Sequence, residues 1–401
     1  GGHPTAELFL SWKPNMRLLA ETSGKNTMII SSMADHDLAI KDLVYSAFGH
    51  NGQKCSASSL SILIDEVYDN PAFMRQLKDA AESLPIGSAW DLSSKITPLV
   101  QEPNPDLLRA LTTLDEGESW LLEPKMIDGN PRLWSPGIKL GVQPGSFYHK
   151  TECFGPVLGI MRASSIESAI DLVNDFEFGL TSGFHSLDDR EIEIWREKIE
   201  AGNIYINRGT TGAIVQRQPF GGWKKSVFGN GAKAGGPNYV AGLGTWVPQA
   251  ENFELSAVKT SYNDWMDHYF SQEHDPTGLI GESNHFRYIP VKRMGLLIGP
   301  STSKDKVRLV EEAALTAGVS LVISHSDQDL IPQLAHLERV RILGTPSVEL
   351  LKAAQKQHIH VIAEPVSPDG RLELRHYFRE QAVTETRHRY GNIVPKPEKE
   401  S

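Results

Sequence analysis

The chain has 401 residues, with 40 basic and 50 acidic side chains, a net charge of −10 and 40% hydrophobic residues. This composition predicts a folded protein of about two or three domains and excludes disorder as its main state. Two cysteines exclude a disulfide framework, and the acidic balance argues against a nucleic-acid surface. With no apolar run long enough to span a bilayer, the expected setting is reducing and cytoplasmic.

The first part of the chain predicts two helices that flank a strand. Leu8, Phe9 and Trp12 lie on one face of a helix that Pro14 ends, and the apolar run 16–20 predicts a strand ending at Glu21. A second helix then begins. Asp35 is its expected N-cap, two apolar rows run along it, and Gly49 with the Asn51-Gly52 turn ends it shortly before Cys55.

Strands and helices alternate through the next part of the chain. Strand-like runs occur at 60–64, 157–161 and 203–206. They alternate with helical stretches that begin after Pro71, Ser165 and Asp188. This alternation predicts an α/β fold with a largely parallel sheet.

The last part of the chain predicts a second α/β unit. The pattern blurs over 246–276, which indicates a connector. A strand, the Gly299-Pro300 turn and a helix follow, and further strands complete the unit. The predicted strands are 294–298, 319–324, 340–343 and 358–362, and the predicted helix is 307–317.

Cys55 is the candidate nucleophile. A lone cysteine is more often a small buried apolar residue. Cys55, however, follows a glycine-containing turn, neighbours Lys54, and precedes Ser56 and Ala57, which could begin a helix whose N-terminus favours the thiolate. Cys153 lacks these features.

Two further interpretations concern carboxylates near the cysteines. Glu152 would raise the pKa of its neighbour Cys153, which is therefore interpreted as structural. Glu21, which lies 34 residues before Cys55 and is followed by a Ser-Gly turn, could act as a base on a thiol or a water. The alternative for Glu21 is a strand-end carboxylate that caps a turn.

Four motifs in order resemble the aldehyde dehydrogenase superfamily. They are ETSGKN at 21–26, GQKC at 52–55, ECFGP at 152–156 and PFGG at 219–222. The resemblance implies an NAD-dependent oxidation in which Cys55 attacks an aldehyde to give a thiohemiacetal and then a thioester. Glu21 would activate the water that hydrolyses the thioester. The Cys55 backbone N–H would contribute to the oxyanion hole.

The same resemblance implies cofactor contacts. Glu152 matches the position that holds the nicotinamide ribose, and Phe154 matches the one that packs beside the nicotinamide. Gly1 and Gly2 fit the family's glycine-rich entry to a helix whose N-terminus approaches the pyrophosphate. Only twenty residues precede Glu21, so we expect a fragment that begins within the NAD-binding domain.

A narrower resemblance, carried by residues 208–224, is to the L-glutamate γ-semialdehyde (Δ1-pyrroline-5-carboxylate) dehydrogenases. It is strongest to the dehydrogenase half of the bifunctional proline utilisation A proteins. It implies that the substrate's α-carboxylate is bound by a glycine-rich turn and by two side chains beside Cys55, with an aromatic ring on the aliphatic part. These residues are Thr211, Gly212, Ala213, Lys54, Ser56 and Phe220. The alternative is that the glycines only make tight turns.

The closing motifs at 370–374, 379–382 and 387–392 resemble the end of the longer proline utilisation A proteins, a non-catalytic domain of aldehyde-dehydrogenase-like fold. The alternative is a polar face that is solvated or binds an anion. His358 and His360 share one side of a predicted strand, but two histidines make a poor metal site, and no metal is expected.

The predicted organisation has four segments. They are the end of the NAD-binding domain (1–23), the catalytic domain (24–250), a connector (251–282) and the C-terminal α/β domain (283–401). The resemblance implies a homodimer, and FAD only if a proline dehydrogenase domain lies in the same parent chain. Two other functions stay open, namely oxidation of another small carboxylate-bearing aldehyde, or an inactive fragment or scaffold.

Overall fold

The computed structural model describes residues 1–247, 253–389 and 392–393. The predicted boundary at 250/251 and two residues of the last motif, Tyr390 and Gly391, lie outside the described residues. The helices are α1 (His3–Trp12), α2 (His36–Phe48), α3 (Asp65–Tyr68), α4 (Pro71–Glu82), α5 (Pro105–Thr112), α6 (Phe147–Lys150), α7 (Ile166–Asn174), α8 (Asp189–Lys198), α9 (Leu255–Trp265), α10 (Lys304–Ala317), α11 (Asp327–Leu330), α12 (Val348–Lys356) and α13 (Gly370–Glu373).

The strands follow the predicted order and add several short ones. They are β1 (Ala20–Glu21), β2 (Asn26–Ile30), β3 (Ser58–Ile64), β4 (Ser119–Leu122), β5 (Gly137–Leu140), β6 (Val157–Ala163), β7 (Phe178–Gly179), β8 (Thr181–His185), β9 (Asn203–Ile206), β10 (Trp223–Lys224), β11 (Val227–Phe228), β12 (Glu282–Pro290), β13 (Arg293–Ile298), β14 (Ser320–Ser324), β15 (Arg339–Leu343), β16 (His360–Ile362), β17 (Phe378–Thr386), β18 (His388–Arg389) and β19 (Asn392–Ile393).

The chain divides into two compact units that are discontinuous in sequence. Unit 1 comprises Gly1–Thr22, Ile214–Thr277 and Asn284–Ala382. Unit 2 comprises Ser23–Ala213, Gly278–Ser283 and the C-terminal residues from Val383 on. The division into four consecutive segments remains a prediction.

Unit 2 contains the predicted parallel sheet. Its strands run in the order β9-β8-β2-β3-β6-β5-β4, and neighbours are parallel except for the β5–β4 pair. The central strand β2 is buried along its whole length, as expected for a parallel strand that is covered on both faces. The predicted α/β class is therefore confirmed.

The predicted helices of unit 2 form where the apolar rows lie. Asp35 caps α2 by accepting a hydrogen bond from the Leu38 N–H at 3.3 Å. The two predicted rows of α2 supply its buried face, which includes Ala39, Leu43 and Ala47. Tertiary packing of these rows, more than intrinsic propensity, stabilises such a helix.

Unit 1 contains the second α/β unit, a parallel four-stranded sheet in the order β14-β13-β15-β16. Ser303 caps α10, and Gly318 ends it in the left-handed conformation with φ of 70°, so this helix and its neighbouring strands are confirmed. The region 246–276, which predicted a connector, contains the helix α9. Among the described residues, none of the helices is both long and apolar enough to span a bilayer.

Two local expectations in unit 1 are wrong. The strand predicted over 16–20 is confined to β1, because its partner β11 pairs only with Ala20 and Glu21. His358 does not share a strand face with His360. Its φ is 57°, β16 begins at His360, and the His358 imidazole bonds instead to the Lys224 carbonyl at 2.7 Å.

A buried ion pair joins β15 to α13 in unit 1. The Arg341 guanidinium donates to both oxygens of Glu373, at 3.0 and 3.1 Å, and both side chains are almost fully buried. The carboxylate also accepts from the Ser367 N–H at 2.9 Å and the Tyr377 hydroxyl at 3.3 Å. These additional hydrogen bonds offset part of the cost of burying the two charges.

Glu373→Ala is therefore expected to lower the free energy of unfolding by about 3–5 kcal/mol, since it leaves the Arg341 charge buried without a counter-ion. Asp305→Ala is the control, because Asp305 pairs with Arg308 at 3.6 Å on an exposed helix surface. That change should cost less than about 1 kcal/mol. Denaturant unfolding measures both, and equal losses would contradict the assignment.

Candidate active site

Three of the four motifs meet at one edge of the unit 2 sheet. The segment 23–25 immediately precedes β2, the segment 52–55 precedes β3, and the segment 152–155 precedes β6. Because β2, β3 and β6 are adjacent and parallel, their amino ends lie at the same edge. The sheet thus gathers motif residues that are far apart in sequence.

Asn26 fixes the loop that carries Cys55. Its side-chain N–H groups donate to the Cys55 carbonyl at 2.6 Å and to the Ala57 carbonyl at 3.0 Å. Its side-chain oxygen accepts from the Thr181 N–H at 3.1 Å. One buried amide therefore ties the start of β2 to the Cys55 loop and to β8. Asn26 lies in the ETSGKN motif, but the sequence does not indicate that its side chain joins these three segments.

Because Gly24 has no side chain, the Cys55 loop can pack against the segment that precedes β2. A Cβ atom at Gly24 would lie 2.8 Å from the Asn26 side-chain oxygen and 3.1 Å from the Cys55 carbonyl oxygen. Contacts this short cannot be accommodated without displacing one of the two groups. The glycine of the first motif is thus required by packing against the second.

Cys55 is half-buried, and the helix expected directly after it does not form. The Ala57 N–H bonds to the Lys54 carbonyl at 3.0 Å, which closes a turn, and β3 begins at Ser58. No helix begins at Ser56 or Ala57, because β3 pairs with strands on both sides. A helix N-terminus therefore does not stabilise the Cys55 thiolate.

Glu152 is held beside the first motif. One of its oxygens accepts from the Gly24 N–H at 3.0 Å. Burial raises the pKa of Glu152, while hydrogen bonds from Gly24 and Ser23 and the charge of Lys25 lower it. The result is a largely buried carboxylate with fixed orientation.

Lys25 is a buried cation that the sequence did not assign to any role. Its ammonium lies 4.1 Å from the centre of the Tyr148 ring and has no hydrogen-bond partner among the described residues. Burial lowers the pKa of Lys25 to about 8, and the nearby Cys153 and Glu152 oppose that decrease. Its place in the ETSGKN motif was the one available signal.

The two cysteines differ in burial, since Cys55 is half-buried and Cys153 is buried. Cys153 is buried in the hydrophobic core of unit 2. Burial raises the pKa of the Cys153 thiol, and Glu152 adds to that increase. The neighbouring Phe154 is 41% exposed and has a φ of 57°, which turns the chain sharply there.

The second and third motifs pack directly on each other. The Gln53 side chain donates to the Phe154 carbonyl at 3.3 Å. A Cβ at Gly52 would lie 2.2 Å from the Gly155 carbonyl oxygen, and Gly52 has a φ of 66°. Only glycine satisfies both constraints.

The glycine-rich turn at 211–213 is tied to the Cys55 loop within unit 2. The Thr210 hydroxyl donates to the Ser56 carbonyl at 2.9 Å, and the Thr210 N–H donates to the Ser46 hydroxyl at 3.0 Å. Thr211 is buried, and Gly212 has a φ of 91°. Ser56 and the turn are thus brought together by Thr210, which sequence reasoning did not single out.

Glu21 and Phe220 line one pocket of unit 1 with a volume of about 80 Å³. The pairing of β1 with β11 presents Glu21 to this pocket. The pocket is lined by Leu19, Ala20, Glu21, Phe220, Gly221, Val227, Phe228, Asn230, Gly231, Ala232, Ala234 and Tyr239.

Gly2 lies elsewhere in unit 1, as the N-cap of α1, where no side chain caps the helix. The predicted first helix is therefore present. Its buried residues are His3, Ala6 and Leu10, whereas Leu8, Phe9 and Trp12 are exposed. Within the described part of the chain, no group of three metal-binding side chains is found.

Comparison with known proteins identifies relatives of this chain. The model of the aldehyde dehydrogenase family matches residues 5–242. The 1-pyrroline-5-carboxylate dehydrogenase of Geobacillus sp. (strain WCH70) is 34% identical over 225 residues, which cover 56% of this chain and 43% of the relative. The Bacillus subtilis enzyme of the same name is 35% identical over the same coverage. The chain thus spans under half the length of these relatives.

Solved structures extend the likeness beyond the family match. Proline utilization A from Corynebacterium freiburgense is 45% identical with a TM-score of 0.88, over 98% of this chain and 42% of that chain. The 1-pyrroline-5-carboxylate dehydrogenase from Thermus with bound NAD is 30% identical with a TM-score of 0.54, over 60% of this chain and 48% of that one.

Gly24→Ala is expected to lower the free energy of unfolding by about 1–3 kcal/mol, because the added Cβ collides with Asn26 and the Cys55 carbonyl. Gly49→Ala is the matched control, since a Cβ there meets nothing within 4 Å and the φ of Gly49 is −54°. Urea unfolding compares the two variants. Equal stability of both would show that Gly24 is not needed for the close approach.

Proposed function

The chain belongs to the aldehyde dehydrogenase family, whose model matches more than half of it, and we propose that it oxidises L-glutamate γ-semialdehyde to L-glutamate with NAD. Two observations support the substrate. Relatives at 34–35% identity are named 1-pyrroline-5-carboxylate dehydrogenases. The run 208–224 carries the same resemblance.

The observation that carries the proposal is the fixed and half-exposed Cys55 loop. Asn26 and Gly24 hold it at the strand edge where Glu152 also lies. A nucleophile in one geometry reacts through an effectively unimolecular step, which supplies much of an enzyme's advantage. The second cysteine is buried in the core and unsuited to this role.

The proposed reaction begins at the Cys55 sulfur. The thiolate attacks the aldehyde carbon, and the tetrahedral thiohemiacetal places its negative oxygen where the Cys55 backbone N–H donates. NAD, when bound, would supply the acceptor for the hydride that leaves this carbon. The thiohemiacetal then becomes a thioester on Cys55.

The residues that the resemblance assigns to the cofactor have chemistry that fits NAD. The carboxylate of Glu152 is an acceptor of the kind that ribose hydroxyls require, and its orientation is already fixed by Gly24. Phe154 exposes an apolar ring at the same segment. Gly2 leaves the first N–H groups of α1 without a side-chain cap, an arrangement suited to a phosphate.

Glu21 completes the cycle in this proposal. Its carboxylate takes a proton from water, and the hydroxide attacks the thioester carbon. The carbon–sulfur bond then breaks, which releases L-glutamate and restores the Cys55 thiolate, while the proton on Glu21 and that of the new acid pass to solvent. A pocket large enough for water beside Glu21 is consistent with this role.

Substrate choice is assigned to the turn at 211–213. Gly212 has a φ of 91°, which allows consecutive N–H groups to converge on an anion such as the α-carboxylate. Lys54 and the Ser56 hydroxyl are proposed to bind the same carboxylate, and Phe220 to pack on the aliphatic part. A partner proline dehydrogenase activity, with FAD, would supply the semialdehyde.

Cys55→Ala is expected to lower NADH formation by more than about a thousandfold in the full-length gene product, because no other group forms the thioester. Cys153→Ala removes the other thiol and should keep most of the rate. The same assay should favour glutamate semialdehyde over succinate semialdehyde, which lacks the ammonium group. Substantial activity in Cys55→Ala would refute the mechanism, and a preference for succinate semialdehyde would refute the substrate.

A further inference from the structure

A buried lysine lies behind the pocket wall beside Glu21. Lys233 is fully buried in unit 1 and stands between Ala232 and Ala234, which both line the pocket. Its ammonium donates to the carbonyl of Gly221, another lining residue. The positive charge therefore sits directly against the backbone of the pocket that Glu21 faces.

The lysine is coupled to a fixed carboxylate on the strand β17. The backbone N–H of Lys233 donates to one oxygen of Glu380 at 2.8 Å, and the Asn238 side chain donates to the other oxygen at 2.6 Å. Asn238 also donates to the Tyr288 hydroxyl at 3.0 Å. Glu380 is thus a buried anion whose two oxygens are both engaged.

Lys233 and the carboxylates near it shift one another's pKa. Burial lowers the pKa of Lys233, while the negative charges of Glu380 and Glu21 oppose the decrease. Burial raises the pKa of Glu380, whereas Asn238, Lys233 and Arg339 favour its ionised form. Both carboxylates therefore favour the charged form of Lys233, and one of them, Glu21, lines the pocket.

Two further cations lie in this part of unit 1, namely Arg339 and the Gly1 ammonium, which donates to the Glu21 carbonyl at 3.4 Å. A Cβ at Gly231, in the pocket wall, would lie 3.9 Å from the Arg339 guanidinium. That guanidinium donates to the His376 carbonyl at 2.7 Å. The charge of Arg339 lowers the pKa of Glu380, whereas the charge of Glu21 raises the pKa of Lys233.

We propose that Lys233 is a positioning residue for Glu21, and that its ammonium, retained in the interior by Glu380, keeps the Glu21 carboxylate ionised and ready to accept a proton. This inference rests on the proposed role of Glu21 as the base. A cation close to a carboxylate stabilises the charged form. If the charge of Lys233 did not reach Glu21, removing it would leave the titration of Glu21 unchanged.

The test is a pH titration of Glu21 in the full-length gene product by infrared spectroscopy, with the Glu21 band identified by its loss in Glu21→Gln. In Lys233→Met the midpoint for Glu21 should move to higher pH by about one unit or more, because the stabilising charge is gone. Lys306→Met is the control, since it removes a lysine charge from an exposed position in unit 1. The midpoint should not move in that variant.

An unmoved midpoint in folded Lys233→Met would overturn the proposal. If that variant does not fold, the wild-type titration decides, because the Glu21 band should show a second inflection where Lys233 loses its proton. The absence of that inflection would also overturn the proposal.

The infrared titration of the Glu21 band does not require turnover. Its outcome therefore does not depend on whether the proposed function is correct. The acid limb of the pH dependence of kcat should shift together with the band. If the band moves while the acid limb does not, the coupling of Lys233 to Glu21 stands and the role of Glu21 as base fails.

Discussion

The hydrogen bonds of Asn26 are the constraint on which the candidate site depends. One side-chain amide joins β2, the Cys55 loop and β8, and it is buried where water cannot replace its partners. Unmade hydrogen bonds are costly in such a place, so the Cys55 loop has one favoured geometry. The contact between Gly24 and the Cys55 carbonyl reinforces this, because it leaves no room for displacement.

Buried charge is the second feature that the fold must accommodate. Glu152 and Lys25 lie together behind the Cys55 edge of unit 2, and Glu380 and Lys233 lie together behind the pocket of unit 1. Burial lowers the pKa of each lysine, and the nearby anions oppose that decrease. Groups poised in this way respond to small changes in their surroundings, which is typical of functional sites.

The elements with clear apolar periodicity could be predicted from the sequence, and so could the motif residues. The helix α2 and the sheet of unit 1 follow from rows of apolar residues and from capping residues close in sequence. Asn26 and Thr210 could not be found in this way, because their partners belong to other segments, 29 to 155 residues from Asn26 and 154 to 164 residues from Thr210. The expected helix after Cys55 was wrong because strand pairing on both sides of β3 overrides the local preference.

The most direct test of the central claim is a search for the covalent intermediate on Cys55. The Glu21→Gln form of the full-length gene product is mixed with NAD and glutamate semialdehyde, and its intact mass and peptides are then measured. The account predicts that a glutamyl thioester accumulates on the peptide that contains Cys55, since the step that removes it lacks its base. An adduct on another residue, or none while NADH still forms, would contradict the account.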